Sequence, residues 1–333
     1  MKALQLISPQ RIEDNPLKER TVEVPQPGNP DVLIRVDACA LCHTDLHVIE
    51  GELPPKRSPL TPGHQVIGVV EKMGREVSGR TIGERVGVAW LHWACGECTW
   101  CRRGDENLCE RALFTGYDVD GGYAEYIKAP GSFVYSIPRG FTSEQAAPLM
   151  CAGIIGFRSL RLSGIKPGER LGLFGFGASA HIAIQVARYW GCEVFVFSRS
   201  AEHRKLAEEL GAVWTGRPDD VSTSSLDAVV SFAPAGELVP KALKVLRKGG
   251  TLALAGIYMS PIPSFDYSLL YQERKITSVA NSTRRDGMAF LKLAGEIPVK
   301  TETEIFPVAD ANRALQRLKS GKILGTGVLQ VRG

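Results

Sequence analysis

The chain has 333 residues, of which 44% are hydrophobic and 23% charged, with a net charge of +4 and a mean hydropathy of -0.05. These values are typical of a folded globular protein, and the length exceeds what one hydrophobic core usually serves, so two domains are expected. The longest apolar stretch, 149–157, is too short to span a bilayer, and residues 1–10 lack the apolar segment of a secretory signal. The sequence has no run of basic residues that would indicate a nucleic-acid partner. We therefore expect a cytoplasmic protein with neither membrane nor nucleic-acid partners.

The first predicted strand, 32–38, leads into a segment crowded with metal-binding groups, CALCHTDLH at residues 39–47. Zinc prefers thiolate and imidazole ligands, so Cys42 is a candidate ligand. Taken alone, the pair Cys39 and Cys42 is also compatible with a redox motif or with two buried small residues. A second strand is predicted at 63–70, and His64 at its start is the natural second ligand for the same ion. Another turn and strand follow at 83–88.

Four cysteines then lie within fifteen residues, a spacing that closes around one tetrahedral ion: Cys95, Cys98, Cys101 and Cys109. Four thiolates leave no open position, so this lobe, 95–109, predicts a structural zinc ion. The alternative is an iron–sulfur cluster. The bacterial cluster motif has three residues before its last cysteine and a proline after it, whereas here seven residues precede Cys109 and Glu110 follows. Zinc is favoured.

Beyond a turn and strand that begin at 121, Thr142 and Gln145 form a capping-box pattern that opens a helical segment up to 164. This segment contains Cys151 within an apolar run. A lone cysteine in such a run is usually buried and inert. A catalytic zinc ion, however, takes three protein ligands and keeps one position open, and Cys42 with His64 lacks one ligand. Cys151 is therefore predicted as the third ligand.

From 166 onward, strands and helices alternate: strands are predicted at 171–174, 194–197, 227–231, 251–255 and 276–280, with helices at 179–190, 201–210 and 238–246. This pattern predicts a doubly wound parallel sheet. Gly175, Gly177 and Ala178 form a glycine-rich turn where backbone N–H groups can receive the pyrophosphate of a dinucleotide. The second strand ends at Ser198 and Arg199, where an NAD site would carry a carboxylate. Arg199 suits a 2′-phosphate and favours NADP over NAD, the alternative being an arginine that only faces solvent.

A helix at 309–319 and a strand at 327–331 complete the predicted elements. Taken together and in this order, the motifs resemble the zinc-containing medium-chain alcohol dehydrogenases of the bacterial and cinnamyl-alcohol-dehydrogenase-like branch. The resemblance covers essentially the whole chain. It implies an α/β fold in which a doubly wound Rossmann domain, 153–281, joins a mostly β, GroES-like catalytic domain, 1–152 and 282–333. It also implies a homodimer or homotetramer.

The same resemblance implies specific roles around the catalytic zinc ion. Asp45 would orient His64, and Thr44 would pass the alcohol proton through the cofactor ribose toward His47. His43 would lie near the pyrophosphate. The implied activity interconverts alcohols and aldehydes or ketones by hydride transfer to or from NAD(P), NADP being favoured, with two zinc ions per chain and a small-molecule substrate.

Two positions depart from the family pattern: Gln65 stands where glutamate is usual, and Ile155 where threonine is frequent. Because of both departures, an alternative function remains: a catalytically weak or inactive family member that acts as a cofactor-binding or redox-sensing protein. A zinc-independent quinone or enone reductase is the other alternative, although such proteins usually lack the cysteine lobe and the ligands. Residues 90–93 and 113–114 either line an apolar pocket for medium-chain or aromatic alcohols or pack under the lobe.

Overall fold

The computed structural model describes residues 1–220 and 225–332. The chain divides into two compact units. The first contains Met1–Cys151, Thr283–Glu296 and the segment from Lys300 onward, and the second contains Ala152–Ser282 and Ile297–Val299. Within the described ranges, none of the helices combines the length and the apolar character that a membrane crossing requires.

Most of the first unit is β-structure. Its elements between residues 2 and 146 are β1 (Lys2–Gln5), β2 (Lys18–Thr21), β3 (Asp31–Ala40), α1 (His43–Glu50), β4 (Gln65–Met73), β5 (Arg85–Val88), β6 (Leu91–Trp93), α2 (Thr99–Arg102), β7 (Leu113–Phe114), β8 (Tyr126–Pro130), β9 (Val134–Ser136) and α3 (Ser143–Ala146). In β3 the alternate residues Val32, Ile34 and Val36 are fully buried, which gives this strand one continuous apolar face. The strands predicted at 32–38, 63–70 and 83–88 are confirmed, the strand predicted after the turn at 121 begins only at Tyr126, and the capping box at Thr142 is confirmed.

A six-stranded parallel sheet forms the centre of the second unit. Its elements are α4 (Ala152–Ser163), β10 (Arg170–Phe174), α5 (Ala178–Tyr189), β11 (Glu193–Phe197), α6 (Ala201–Glu209), β12 (Trp214–Gly216), β13 (Leu226–Ser231), α7 (Leu238–Val245), β14 (Leu246–Leu254) and β15 (Lys275–Ser278). The strand order is β12-β11-β10-β13-β14-β15, and every neighbouring pair is parallel. This is the predicted doubly wound sheet.

One boundary in this unit was predicted wrongly. The helix predicted at 238–246 ends at Val245, and the strand predicted from 251 begins at Leu246. Leu246 pairs with Leu226, and the register then shifts before Thr251 pairs with Ala228. The strand therefore runs through Gly249 and Gly250 and starts five residues earlier than predicted.

The chain then returns to the first unit through α8 (Arg284–Glu296), β16 (Thr303–Pro307), α9 (Ala311–Lys319) and β17 (Thr326–Gln330). The seven-stranded sheet of this unit follows the order β16-β17-β3-β4-β5-β9, and β8 also pairs with β3. Because β17 pairs with β3 in a register that joins Leu329 to Cys39, the last strand lies next to the strand that leads into Cys42. Helix α8 had not been predicted.

Candidate functional site

The three predicted ligands of the catalytic ion come together in the first unit. One ligand atom from each of Cys42, His64 and Cys151 lies within 4.8 Å of the others. Cys42 is the N-cap of α1, and His64 immediately precedes β4. The β3–β4 ladder pairs Ala40 with Gln65, so the register of the sheet brings these two ligands together. Cys151 follows a short 3-10 turn, Ala147–Met150, that packs against β4 and β5.

A buried carboxylate orients the histidine of this cluster. The Oδ1 atom of Asp45 lies 3.0 Å from Nδ1 of His64, and its Oδ2 accepts from the backbone N–H of Cys42 at 2.8 Å. Asp45 and His64 are 2% and 1% exposed. The other ring nitrogen of His64, Nε2, is buried and has no hydrogen-bond partner of normal geometry among the described residues. A buried nitrogen without a partner is costly, and a metal ion at Nε2 removes that cost. The residues therefore fit a zinc ion with three protein ligands and one open position.

Charge in this cluster also favours a cation. The hydrogen bond from the Cys151 thiol, aided by His64, holds the pKa of Cys42 well below its usual value against the opposing effect of burial. Burial lowers the pKa of His64, but Asp45 and Cys42 outweigh it and raise that pKa to about 10. A thiolate and a carboxylate thus lie in one site, in which Asp45 is buried and Cys42 is half-buried. A divalent cation compensates both charges and displaces the proton from His64.

The four lobe cysteines form a second cluster, with all sulfur atoms within 4.8 Å of one another. The sulfur atoms of Cys95 and Cys101 are 3.8 Å apart. A tetrahedron with zinc–sulfur bonds of about 2.3 Å has edges of about 3.8 Å. An iron–sulfur cluster holds its cysteines farther apart because metal and sulfide atoms lie between them. Backbone N–H groups of Glu97 and Cys98 lower the pKa of Cys95 to about 6, which favours the thiolate. The lobe fits a single tetrahedral ion.

An ion pair that the sequence did not predict joins this lobe to α8. Glu106, between the third and fourth cysteines, accepts from the backbone N–H of Arg284 at 2.7 Å and from its guanidinium Nη2 at 2.7 Å. The guanidinium also lies over the ring of Phe133, 4.3 Å from its centre. One local signal for this helix was available: Thr283 and Asp286 form a cap in which Asp286 accepts from the backbone N–H of Thr283 at 3.0 Å.

The residues implied to move the proton lie on α1. Thr44 and His47 are one helical turn apart, and the Thr44 hydroxyl oxygen lies 3.4 Å from the Cys42 sulfur atom. The Nδ1 atom of His47 pairs with the carboxylate of Glu52, whose side chain is 42% exposed. His43 begins the helix and is exposed. Helix α1 therefore carries the implied proton-transfer residues away from Cys42, and no helix was predicted there.

Gln65 and Trp90 are the other side chains of note near His64. Gln65 is 1% exposed, and its amide Nε2 donates to the Leu41 carbonyl at 3.0 Å. A glutamate at this position could not donate that bond. The ring of Trp90 meets His64 edge-on, with 5.0 Å between ring centroids, and stacks on Phe114 at 5.2 Å.

The apolar residues proposed for a pocket divide into two groups. Trp90 lies beside His64, whereas Leu91 packs among the cysteines of the lobe. Phe114 belongs to both groups, since it stacks on Trp90 and also contacts the hydrophobic cluster around Leu91. Ile155 is buried on α4 of the second unit.

In the second unit, the predicted nucleotide turn lies between β10 and α5. Gly175 has a φ of +83°, a left-handed conformation that favours glycine. Gly177 is the N-cap of α5, where no side chain caps the helix, and a Cβ atom there would meet nothing within 4 Å. The first N–H groups of the helix, from Ala178 onward, can thus receive a phosphate group.

At the end of β11 a second arginine lies beside the predicted nucleotide-binding residues Ser198 and Arg199. Ser198 is buried and Arg199 is exposed. Arg204, one turn into α6, donates from Nη1 to the carbonyl oxygens of Ser198 and Arg199 at 2.8 and 3.1 Å. Two guanidinium groups therefore lie at the end of this strand, and the second was missed because its position depends on the strand-to-helix turn.

The chain combines a doubly wound sheet that has a glycine turn with a β-rich unit that carries a three-ligand cluster and a four-cysteine cluster. This combination is the architecture of a zinc-type dehydrogenase. Family models agree: residues 28–139 match the alcohol dehydrogenase GroES-like domain, and residues 180–295 match the zinc-binding dehydrogenase domain. The chain is 45% identical over 337 residues to the "Probable alcohol dehydrogenase AdhA" of Mycobacterium tuberculosis (strain CDC 1551 / Oshkosh), covering 99% of this chain and 97% of that protein.

Solved structures give the same result. A cinnamyl alcohol dehydrogenase from Sorghum bicolor superposes with a TM-score of 0.92 at 28% identity, covering 100% of this chain and 98% of that one. A CAD from Helicobacter pylori, complexed with NADP(H), has a TM-score of 0.90 at 26% identity, covering 99% and 97%. The chain belongs to the zinc-containing medium-chain alcohol dehydrogenase family. The family and the fold class predicted from the sequence are confirmed.

Proposed function

We propose that this protein is a zinc-dependent oxidoreductase that interconverts alcohols and aldehydes or ketones by hydride transfer to or from a nicotinamide dinucleotide. The observation that carries the proposal is the cluster of Cys42, His64 and Cys151, in which the buried Nε2 atom of His64 has no hydrogen-bond partner among the residues that the structure describes. These three residues would hold a catalytic zinc ion, and the four lobe cysteines would hold a structural one. The first unit is then the catalytic domain and the second the nucleotide-binding domain.

A zinc ion bound by these residues would supply Lewis acidity, which would lower the pKa of an alcohol or polarise a carbonyl group. Asp45 keeps the proton on Nδ1 of His64 and so leaves Nε2 available as a ligand. The Thr44 hydroxyl would take up the alcohol proton as it gives its own proton to the cofactor ribose, and His47 would receive the proton from the ribose and release it to solvent together with Glu52. The contacts on α1 support the two ends of this route, because Thr44 lies beside Cys42 and His47 pairs with the partly exposed carboxylate of Glu52.

The nucleotide proposed for the second unit is NADP, with NAD as the weaker ligand. Gly175, Gly177 and Ala178 receive the pyrophosphate, aided by His43 as the family resemblance implies. Ser198 and Arg199 bind the 2′-phosphate, and Arg204 holds their backbone in place. Guanidinium groups pair well with phosphate. The NADP(H) complex of the Helicobacter pylori protein also supports this choice.

The proposed substrate is an apolar or aromatic small molecule. Trp90 presents a flat apolar surface beside His64, and Phe114 and Tyr117 stack on it at 5.2 and 5.9 Å. Relatives named as cinnamyl alcohol dehydrogenases agree with an aromatic substrate. We further propose a homodimer or homotetramer, as the family resemblance implies. The eight free cysteines suit a reducing compartment, which supports the cytoplasm.

The test is a steady-state assay of NADPH and NADH oxidation with aromatic and aliphatic aldehydes, on protein purified without chelator. We expect turnover with aromatic aldehydes and a preference for NADPH of about tenfold or more in kcat/KM. Cys42→Ala should lose at least about 99% of the activity because it removes a ligand of the catalytic ion. Cys192→Ala, which removes a buried cysteine outside both clusters, is the matched control and should behave as wild type. Absence of turnover in the wild type, or full turnover in Cys42→Ala, would overturn the proposal.

A further inference from the structure

We propose that Tyr123 is a positioning residue of the catalytic metal site, whose hydroxyl group fixes the Asp45 carboxylate against His64. The inference rests on the proposed function, since it assumes a zinc ion at His64. It assigns a role to the Gly121-Gly122-Tyr123 segment, which the sequence indicated only as a turn before a strand.

Hydrogen bonds connect the Tyr123 hydroxyl to the histidine ligand through one residue. Tyr123 is fully buried, and its hydroxyl donates to Oδ2 of Asp45 at 3.0 Å. The same Oδ2 accepts from the backbone N–H of Cys42 at 2.8 Å, while Oδ1 meets His64 at 3.0 Å. Both carboxylate oxygens are therefore engaged, so Asp45 cannot rotate without losing a bond. Of these three partners, Tyr123 is the one side chain that belongs to neither ligand-bearing segment.

The backbone around Tyr123 is built for this approach. Gly121 donates to the Thr61 carbonyl at 2.7 Å, and Gly122 donates to the Gly63 carbonyl at 2.8 Å, so the segment runs alongside the residues that lead into His64. A Cβ atom on Gly63 would lie 2.4 Å from the Tyr123 ring, and one on Gly121 would lie 2.0 Å from the Gly63 carbonyl oxygen. Side chains at these glycines would push the two segments apart and withdraw the hydroxyl from Asp45.

Burial of the ring serves the core, so the hydroxyl must be tested separately from the ring. Tyr123→Phe keeps the ring and removes only the oxygen. Tyr135→Phe is the matched control: Tyr135 is also buried in the first unit, but its hydroxyl end lies against Gly287, and its charged neighbours include Glu106 and Arg284 rather than Asp45 or His64. The zinc ion of the four-cysteine lobe serves as an internal reference in both variants.

The experiment measures zinc release from the holoprotein to a chromogenic chelator under native conditions. In Tyr123→Phe we expect one zinc ion to leave about 10–100-fold faster than in wild type, since residues that orient a ligand affect metal affinity by this factor. The second zinc ion should leave at the wild-type rate, and Tyr135→Phe should match wild type for both. With cobalt in the catalytic site, the d–d absorption bands of Tyr123→Phe should also shift, because the histidine ligand is no longer held in one orientation.

A double-mutant cycle tests whether the hydroxyl acts through the carboxylate. If it does, adding Tyr123→Phe to Asp45→Ala should change the release rate little beyond Asp45→Ala alone. Wild-type release and an unchanged cobalt spectrum in Tyr123→Phe would refute the inference and leave the proposed function intact. Additive effects in the cycle would also refute it. Only one zinc ion in the wild-type protein would instead contradict the proposed function itself.

Discussion

Removal of the Arg284 guanidinium should destabilise the first unit through the lobe that carries four cysteines. The variant Arg284→Met keeps much of the aliphatic side chain but leaves the Glu106 carboxylate without its counter-charge. The Glu106 side chain is only 11% exposed, so water can compensate little of that charge. The variant also loses the contact between the guanidinium and the ring of Phe133.

The size of the effect follows from this geometry. Breaking a buried ion pair by removing one partner costs about 3–5 kcal/mol. Arg284 is 35% exposed, and its backbone N–H still donates to Glu106 in the variant, so we reduce this figure to about 2 kcal/mol. For a cooperative unit of about 150–250 residues, each kcal/mol shifts Tm by about 2–4 °C, which predicts a decrease of about 4–8 °C.

Thermal unfolding of the zinc-loaded protein, followed by near-ultraviolet circular dichroism, measures this change. The control is Arg313→Met, which breaks an exposed ion pair with Asp310 whose side chains are 71% and 43% exposed. Such a pair contributes about 0–1 kcal/mol, so the control should melt close to wild type. If Arg284→Met has the same Tm as the control, the ion pair of Glu106 and Arg284 does not stabilise the lobe.

Three further substitutions test the site. Asp45→Asn should lower kcat/KM about 10–100-fold because the histidine ligand loses its ionised partner, and wild-type kinetics would contradict that role. Arg199→Ala should raise the KM for NADPH about tenfold and leave that for NADH unchanged; equal changes for both nucleotides would show that Arg199 does not contact the 2′-phosphate. Gln65→Glu should cost about 1–3 kcal/mol in urea unfolding, since the carboxylate cannot donate to the Leu41 carbonyl and is buried. Unchanged stability would mean that this bond is dispensable.

The metal clusters could be predicted from the sequence because their ligands are uncommon residues at short spacing. The four lobe cysteines lie within fifteen positions, and the structure brings their sulfur atoms together. Cys42, His64 and Cys151 are farther apart in the chain, yet the number of ligands that a catalytic zinc ion requires was enough to select Cys151. The alternating strands and helices after residue 166 were equally informative, and the parallel sheet confirms them.

Contacts between ordinary residues far apart in the chain could not be predicted. Glu106 and Arg284 are separated by 178 positions, and Tyr123 and Asp45 by 78. Neither pair has a local pattern, since charged residues and tyrosines occur throughout the surface and core. Helix α1 was not predicted because cysteine is not among the preferred N-cap residues, although Cys42 and Asp45 form a capping box.

Zinc content per chain, measured by elemental analysis in the wild type and in Cys151→Ala, tests the central claim most directly. The account predicts two zinc ions in the wild type and one in Cys151→Ala, together with loss of dehydrogenase activity and retention of the lobe ion. Cys192→Ala should retain both ions, because Cys192 belongs to neither cluster. One zinc ion in the wild type, or two in Cys151→Ala, would contradict the assignment of Cys42, His64 and Cys151 as the catalytic metal site.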